Sequence, residues 1–186
     1  MQERYDEADG MLQSALAIQE RVYGPVHPRV ASALNERAAV AMRRGKLDDA
    51  EATYRRMIDI YREVHGDEHH LVALGMANLA SVYLERKQFV RAEPILREVV
   101  ARYTRAHPVD DLNAGIARIK LGRALLGQRR FAEARDETLA GYEIVSAKAD
   151  AGVRWLRAAR ADLVRADEGL GEPEKAAAFR EKSPAP

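Results

Sequence analysis

With 30 Lys plus Arg set against 29 Asp plus Glu in 186 residues, the chain is almost neutral and lacks the concentrated basic face that nucleic acid or an anionic membrane requires. Hydrophobic residues at 47% and charged residues at 32% form a globular mixture with material for a core, in one domain or one elongated array. The absence of Cys excludes disulfides, thiolate chemistry and Cys-ligated zinc; with Glu3, Arg4, Asp6, Glu7 and Asp9 opening the chain and no apolar run near the ~18 residues of a membrane span, the expectation is a cytoplasmic protein without a secretory signal.

The predicted elements are all helices. A leading helix covers 4–23, and a first pair follows at 29–44 and 47–65. Within it Leu34, Ala38 and Ala41 fall at i, i+4 and i+7, and Leu47, Ala50, Tyr54, Met57, Ile58 and Tyr61 form a second helical stripe. The next pair, 71–86 and 89–106, repeats both patterns with Met76, Ala80 and Tyr83, then Phe89, Ala92, Leu96, Val99, Val100 and Tyr103. Pairs at 111–128 with 131–148 and at 153–168 with 173–182 complete a single domain over 1–182, and the tail 183–186 is expected to be disordered. The last pair carries Arg160, Asp162, Arg165 and Asp167 on its first helix. That predicts a solvent-facing cap. No β-type alternation of useful length interrupts these helices.

The pairs are copies of one unit. Stepping by 42 residues from Ala50 lands on Ala8, Ala92, Ala134 and Ala176. Three residues earlier stand Tyr5, Leu47, Phe89 and Phe131, with Pro173, a helix-start residue, in the fifth place. Twelve residues earlier stand Ala38, Ala80, Gly122 and Val164. The loop Gly24-Pro25-Val26-His27-Pro28 is matched one unit on by Gly66-Asp67-Glu68-His69-His70. Small residues at 38 and 50 admit close approach of the two helices, where a bulky one would overpack by about 1–3 kcal/mol. Gly45 suits the left-handed backbone that ends a helix. The leading helix has no first-helix partner, and a repeat does not bury its apolar face alone. The expectation is a sequence that begins mid-array, as a fragment or as a chain that exposes this end.

Small residues at these places, an aromatic or Leu three before the alanine, and a turn glycine resemble the tetratricopeptide repeat. The 42-residue period, the loop Gly24 to Ala31, and Asn35 and Asn78 in Leu-Asn and Asn-Leu-Ala stretches resemble its longer, kinesin-light-chain-like variety. The third loop, Ala106-His107-Pro108-Val109, lacks the glycine, and Ile119 and Lys120 replace the Asn positions. The resemblance implies a right-handed superhelix of antiparallel helix pairs whose concave face is lined by the first helix of each pair. It also implies a non-catalytic scaffold that binds a protein or an extended peptide. In bacterial proteins such repeats often end larger signalling chains, among them Ser/Thr kinases and transcription regulators, so a C-terminal repeat region serving as a docking module is the alternative.

On that implied face the sequence places Ser32, Asn35, Ala39 and Arg43, then Leu74, Ala77, Asn78, Ser81 and Glu85, then Ile116, Ile119, Lys120, Arg123 and Gly127. The candidate contacts are Asn35, Asn78, Ser81, Arg43, Lys120 and Arg123. Asn offers a donor and an acceptor to a peptide backbone, and Lys120 with Arg123 suits a carboxylate. Self-association through the exposed leading helix is a further expectation. His65, His69 and His70 with Asp67 and Glu68 raise a metal cluster, but His69 is the repeat equivalent of His27, so loop architecture accounts for it. Trp155 is expected to pack in the core, and Arg55-Arg56 and Arg129-Arg130 to solvate the surface. No glycine-rich phosphate loop, Gly-x-Ser-x-Gly or buried carboxylate pair is found, and the acids are expected on outward faces with ordinary pKa values. Neither an enzyme nor a cofactor is predicted.

Overall fold

The computed structural model describes residues 2–106, 112–148 and 153–181, and the described residues form helices with no strand. These are α1 (Gln2–Tyr23), α2 (Pro28–Arg43), α3 (Leu47–His65), α4 (His70–Glu85), α5 (Phe89–Ala106), α6 (Leu112–Gly127), α7 (Phe131–Ser146), α8 (Val153–Gly169) and α9 (Pro173–Glu181). The tail 183–186 and most of the third loop lie outside the described residues. Two compact units divide the chain, residues 1–82 and residues 83–186, where the sequence predicts one domain.

The turn inside each helix pair is one motif used four times. Gly45, Lys87, Arg129 and Gly171, spaced at 42 residues, all have φ between 57° and 73°. In each, the next residue's N–H reaches the carbonyl five back, as in Lys46 to Ala41, Gln88 to Tyr83, Arg130 to Leu125 and Glu172 to Asp167. This pairing satisfies the orphan carbonyls of a helix end and requires a left-handed residue. Glycine meets that requirement without strain, whereas Lys87 and Arg129 hold it against their own Cβ.

In unit 1, α2 and α3 meet with Ala38 and Ala50 fully buried between Leu34, Tyr54, Met57 and Ile58. Gly75 of α4 lies so close to Ile58 and Met57 that a Cβ there would come within 2.6 Å of the Ile58 side chain. α1 turns Leu16 inward and ties itself down through Asp9 to Arg44 and Glu20 to Arg56. Its other face shows Met11, Ile18 and Val22, exposed by 73%, 54% and 60%.

In unit 2, the α6–α7 seam is built from glycine. A Cβ on Gly122 would collide with the Thr138 hydroxyl at 1.9 Å, and one on Gly141 would come 2.6 Å from the Gly115 carbonyl. Gly127 and Gly169 each lie against the ring that opens a second helix, Phe89 of α5 and Phe131 of α7, again at the 42-residue period. Ile119, Val145 and Ala159 form a closed core against which Trp155 and Leu156 pack. Ile119 therefore leaves the face the sequence assigned it.

The first helix of the last pair is not the solvent-facing cap that its charges predict. Asp162 and Asp167 of α8 are 4% and 0% exposed, because α6 and α7 cover them and each brings an arginine. Arg123 holds Asp162 at 2.8 Å, and Arg135 lies 3.0 Å from Asp167. Burial raises the pKa of both carboxyls above the ordinary value, against the expectation for acids on outward faces.

Candidate functional site

The predicted contact residues sit on α2, α4 and α6, and each unit arranges its own differently. In unit 1, the Asn78 amide donates from Nδ2 to Oδ1 of Asn35 at 2.9 Å, joining α4 to α2. Both side chains are half-buried. The bond uses one N–H of Asn78 and the oxygen of Asn35, leaving the Asn35 NH2 and the Asn78 oxygen outside it. Ser81 turns back on its own helix and donates to the Ala77 carbonyl at 2.9 Å. Arg43 is exposed in the last turn of α2, where its charge complements the helix dipole.

In unit 2 the face is ionic. Lys120 is only 8% exposed, and its Nζ lies 5.4 Å from the centre of the Trp155 ring. Arg154 lies 4.9 Å from the same ring. Burial first, then the guanidiniums of Arg154 and Arg123, pushes the Lys120 amine down to about 8. Arg123 donates from Nε to Asp162 at 2.9 Å. The structure thus brings Lys120 and Arg123 together with three residues the sequence did not place there, Arg154, Trp155 and Asp162. The signal for Asp162 is the repeat itself, since Asn78, Lys120 and Asp162 stand at successive steps of 42.

The basic pairs face acids. Arg55 is bridged to Glu51, and Arg130 joins Glu93 and Glu133 at 2.7 and 2.6 Å. The His69 imidazole stacks on that of His65, with centres 4.4 Å apart, and lies tilted against that of His70, 4.3 Å away. Among the described residues no group of three or more His, Cys, Asp or Glu is arranged to hold a metal ion. No described helix is long and apolar enough to cross a membrane.

Antiparallel helix pairs at a fixed period, seamed by small residues and faced with amides and ion pairs, define an all-α helix-pair repeat protein. Tetratricopeptide repeat models match residues 1–29, 29–105 and 77–152. The chain belongs to the tetratricopeptide repeat proteins, in the 42-residue, kinesin-light-chain-like variety, and its fold is that of protein–protein interaction scaffolds. No curated protein matches the sequence. The chain is similar in structure to BtubC (BKLC) from P. vanneervenii, with a TM-score of 0.82 at 18% identity over 98% of this chain and 77% of that one. It is also similar to a putative kinesin light chain of Podosopora anserina with nearly identical repeats, with a TM-score of 0.75 at 21% identity over 97% and 86%. A third likeness is to MamA from Desulfovibrio magneticus RS-1, with a TM-score of 0.60 at 16% identity over 94% and 92%.

Proposed function

We propose that the protein is a non-catalytic cytoplasmic scaffold that binds an extended peptide or a protein segment along the polar faces of the first helices of its pairs, α2, α4 and α6. Asn35 and Asn78, with Ser81 and Arg43 beside them, serve unit 1, and Lys120 and Arg123 serve unit 2. The observation that carries this reading is the Asn35–Asn78 pair. Two half-buried amides on a helix face cost desolvation, and one mutual bond satisfies less than half of their capacity. A peptide main chain supplies the complementary donor and acceptor irrespective of its side chains. In unit 2 the Lys120 amine and the Arg123 guanidinium suit an acidic side chain or a chain terminus.

The test is capture of partners from source-cell lysate by the wild type and by the variant Asn35→Ala, Asn78→Ala, Lys120→Ala, with helicity of both checked by circular dichroism. A partner held by the wild type and lost by the folded variant supports the scaffold reading. A partner held equally by both moves the binding surface elsewhere.

One observation favours a second reading, docking or self-association through α1 as a module of a larger signalling protein. Met11, Ile18 and Val22 form an exposed apolar stripe on that helix. Sedimentation of wild type against Ile18→Glu separates the two: a concentration-dependent dimer lost in the variant favours α1.

A further inference from the structure

His27 precedes α2 and His69 precedes α4, one repeat apart, and both make the same bond. Nδ1 of His27 accepts the backbone N–H of Arg29 at 3.1 Å, and Nδ1 of His69 accepts that of Leu71 at 3.3 Å. Each ring also stacks on the residue four before it, Tyr23 with centres 4.7 Å apart and His65 at 4.4 Å. An imidazole accepts at Nδ1 only while neutral, so each cap fixes the tautomer that carries its hydrogen on Nε2. Protonation removes the acceptor and sets a positive charge at the positive end of the helix dipole.

We propose that His27 and His69 are a matched pair of proton-released caps, which hold the first turns of α2 and α4 at neutral pH and let them go on acidification. This goes beyond the binding role of the helix faces and does not depend on it. Around His69 stand the rings of His65 and His70, Glu68, and Asp67, which Arg62 engages at 2.7 Å. Around His27 stands the Tyr23 ring, with the Arg29 guanidinium 5.2 Å from its centre. Burial, then the neighbouring His70 and His65, lowers the His69 pKa below the ordinary imidazole value. The sign follows. As pH falls, the unfolded chain takes up the proton first, so the stabilisation by the His69 cap is complete above about pH 6.5 and is lost from there down through the folded-state value.

The test is nitrogen NMR of the imidazoles in the full chain, with amide exchange of Arg29 and Leu71 corrected for intrinsic rates. The expected result is the Nε2–H tautomer at both rings at pH 7.5, and protection of both amides that falls about fivefold or more by pH 5.5, the scale of a lost cap. An Nδ1–H tautomer at either ring, or protection that does not change, overturns the proposal. The double variant His27→Asn, His69→Asn keeps an acceptor that does not titrate, and the loss of protection is expected to disappear in it. A loss of the same size in that variant also overturns the proposal. If the variant does not fold, the tautomers and exchange of the wild type still decide. His65→Tyr recreates the stack found at Tyr23 and is expected to move the His69 midpoint upward; an unmoved midpoint removes the imidazole stack from the device.

Discussion

The pair α2–α3 in unit 1 and the pair α6–α7 in unit 2 close the same seam with different residues. In the first, Ala31, Ala38 and Met57 stand where the second has Gly115, Gly122 and Gly141, two repeats later. The alanine seam keeps a methyl group between the backbones. In the glycine seam, a Cβ on Gly141 would come 2.6 Å from the Gly115 carbonyl and 2.9 Å from the Ile119 nitrogen, both backbone atoms that cannot step aside. The polar faces differ in the same sense. Unit 1 carries a neutral amide pair on its face and buries Glu51 beside Arg55 of the same helix, whereas unit 2 has drawn Lys120, Asp162 and Asp167 inside. Closer packing at the seam and more interior charge come together in unit 2, and both narrow what substitution it accepts.

The largest effect that tests this contrast is expected from Gly141→Ala. It should cost about 3 kcal/mol, since overpacking against backbone has no soft response, whereas Ala38→Gly in unit 1 should cost about 1 kcal/mol. Urea midpoints of the full chain, with amide exchange read separately over each unit, measure both. Equal losses would erase the distinction between the seams.

The next effect is a pH dependence in unit 2. The Lys120 amine sits at about 8 when folded, against 10.5 as a free side chain. Between those values the unfolded chain holds the proton that the folded one has released, so stability rises as pH is raised from about 8 towards 10.5, by up to ~3 kcal/mol at ~1.36 kcal/mol per unit. The rise should vanish in Lys120→Met. A wild type whose stability stays level across that window would show that the amine is not desolvated.

The smallest effect lies in the turns. Lys87→Gly in unit 2 should stabilise by ~0.5–1 kcal/mol, because it relieves a left-handed Lys, and Gly45→Ala in unit 1 should destabilise by about 1 kcal/mol. Thermal midpoints moving in opposite directions confirm it, and a Lys87→Gly variant no more stable than wild type would mean that the turn carries no strain.

The repeat and its helices were legible because they are local. Ala50 and its copies, the apolar stripes and the turn glycines each act within a few residues of their place in the chain. The loop histidines were legible as architecture for the same reason, since His27 and His69 bond only two residues ahead. The interior charges were not. Asp162 meets Arg123 across 39 residues, and a charged stretch such as the one on α8 reads as solvated until another helix is laid over it. Ile119 was misplaced for the same reason, because its partners Val145 and Ala159 come from other helices. The sequence marks Lys120 and Arg123 as cations on one helix face, but their contacts, with Trp155 and with Asp162, lie in a later repeat.

The four left-handed turn residues, at 45, 87, 129 and 171, have a consequence for how such a chain changes over generations. Each opens a segment that begins and ends on equivalent bonds, so the gene can gain or lose whole segments without spoiling a junction. Removal of residues 88–129, for example, would join Lys87 to Arg130 and then Phe131, which again reads as a turn residue, a spacer and the apolar start of a helix. Recombination in steps of 42 residues therefore offers this chain a graded inventory of lengths, each adding or subtracting one helix face and re-pairing the two helices on either side of the join.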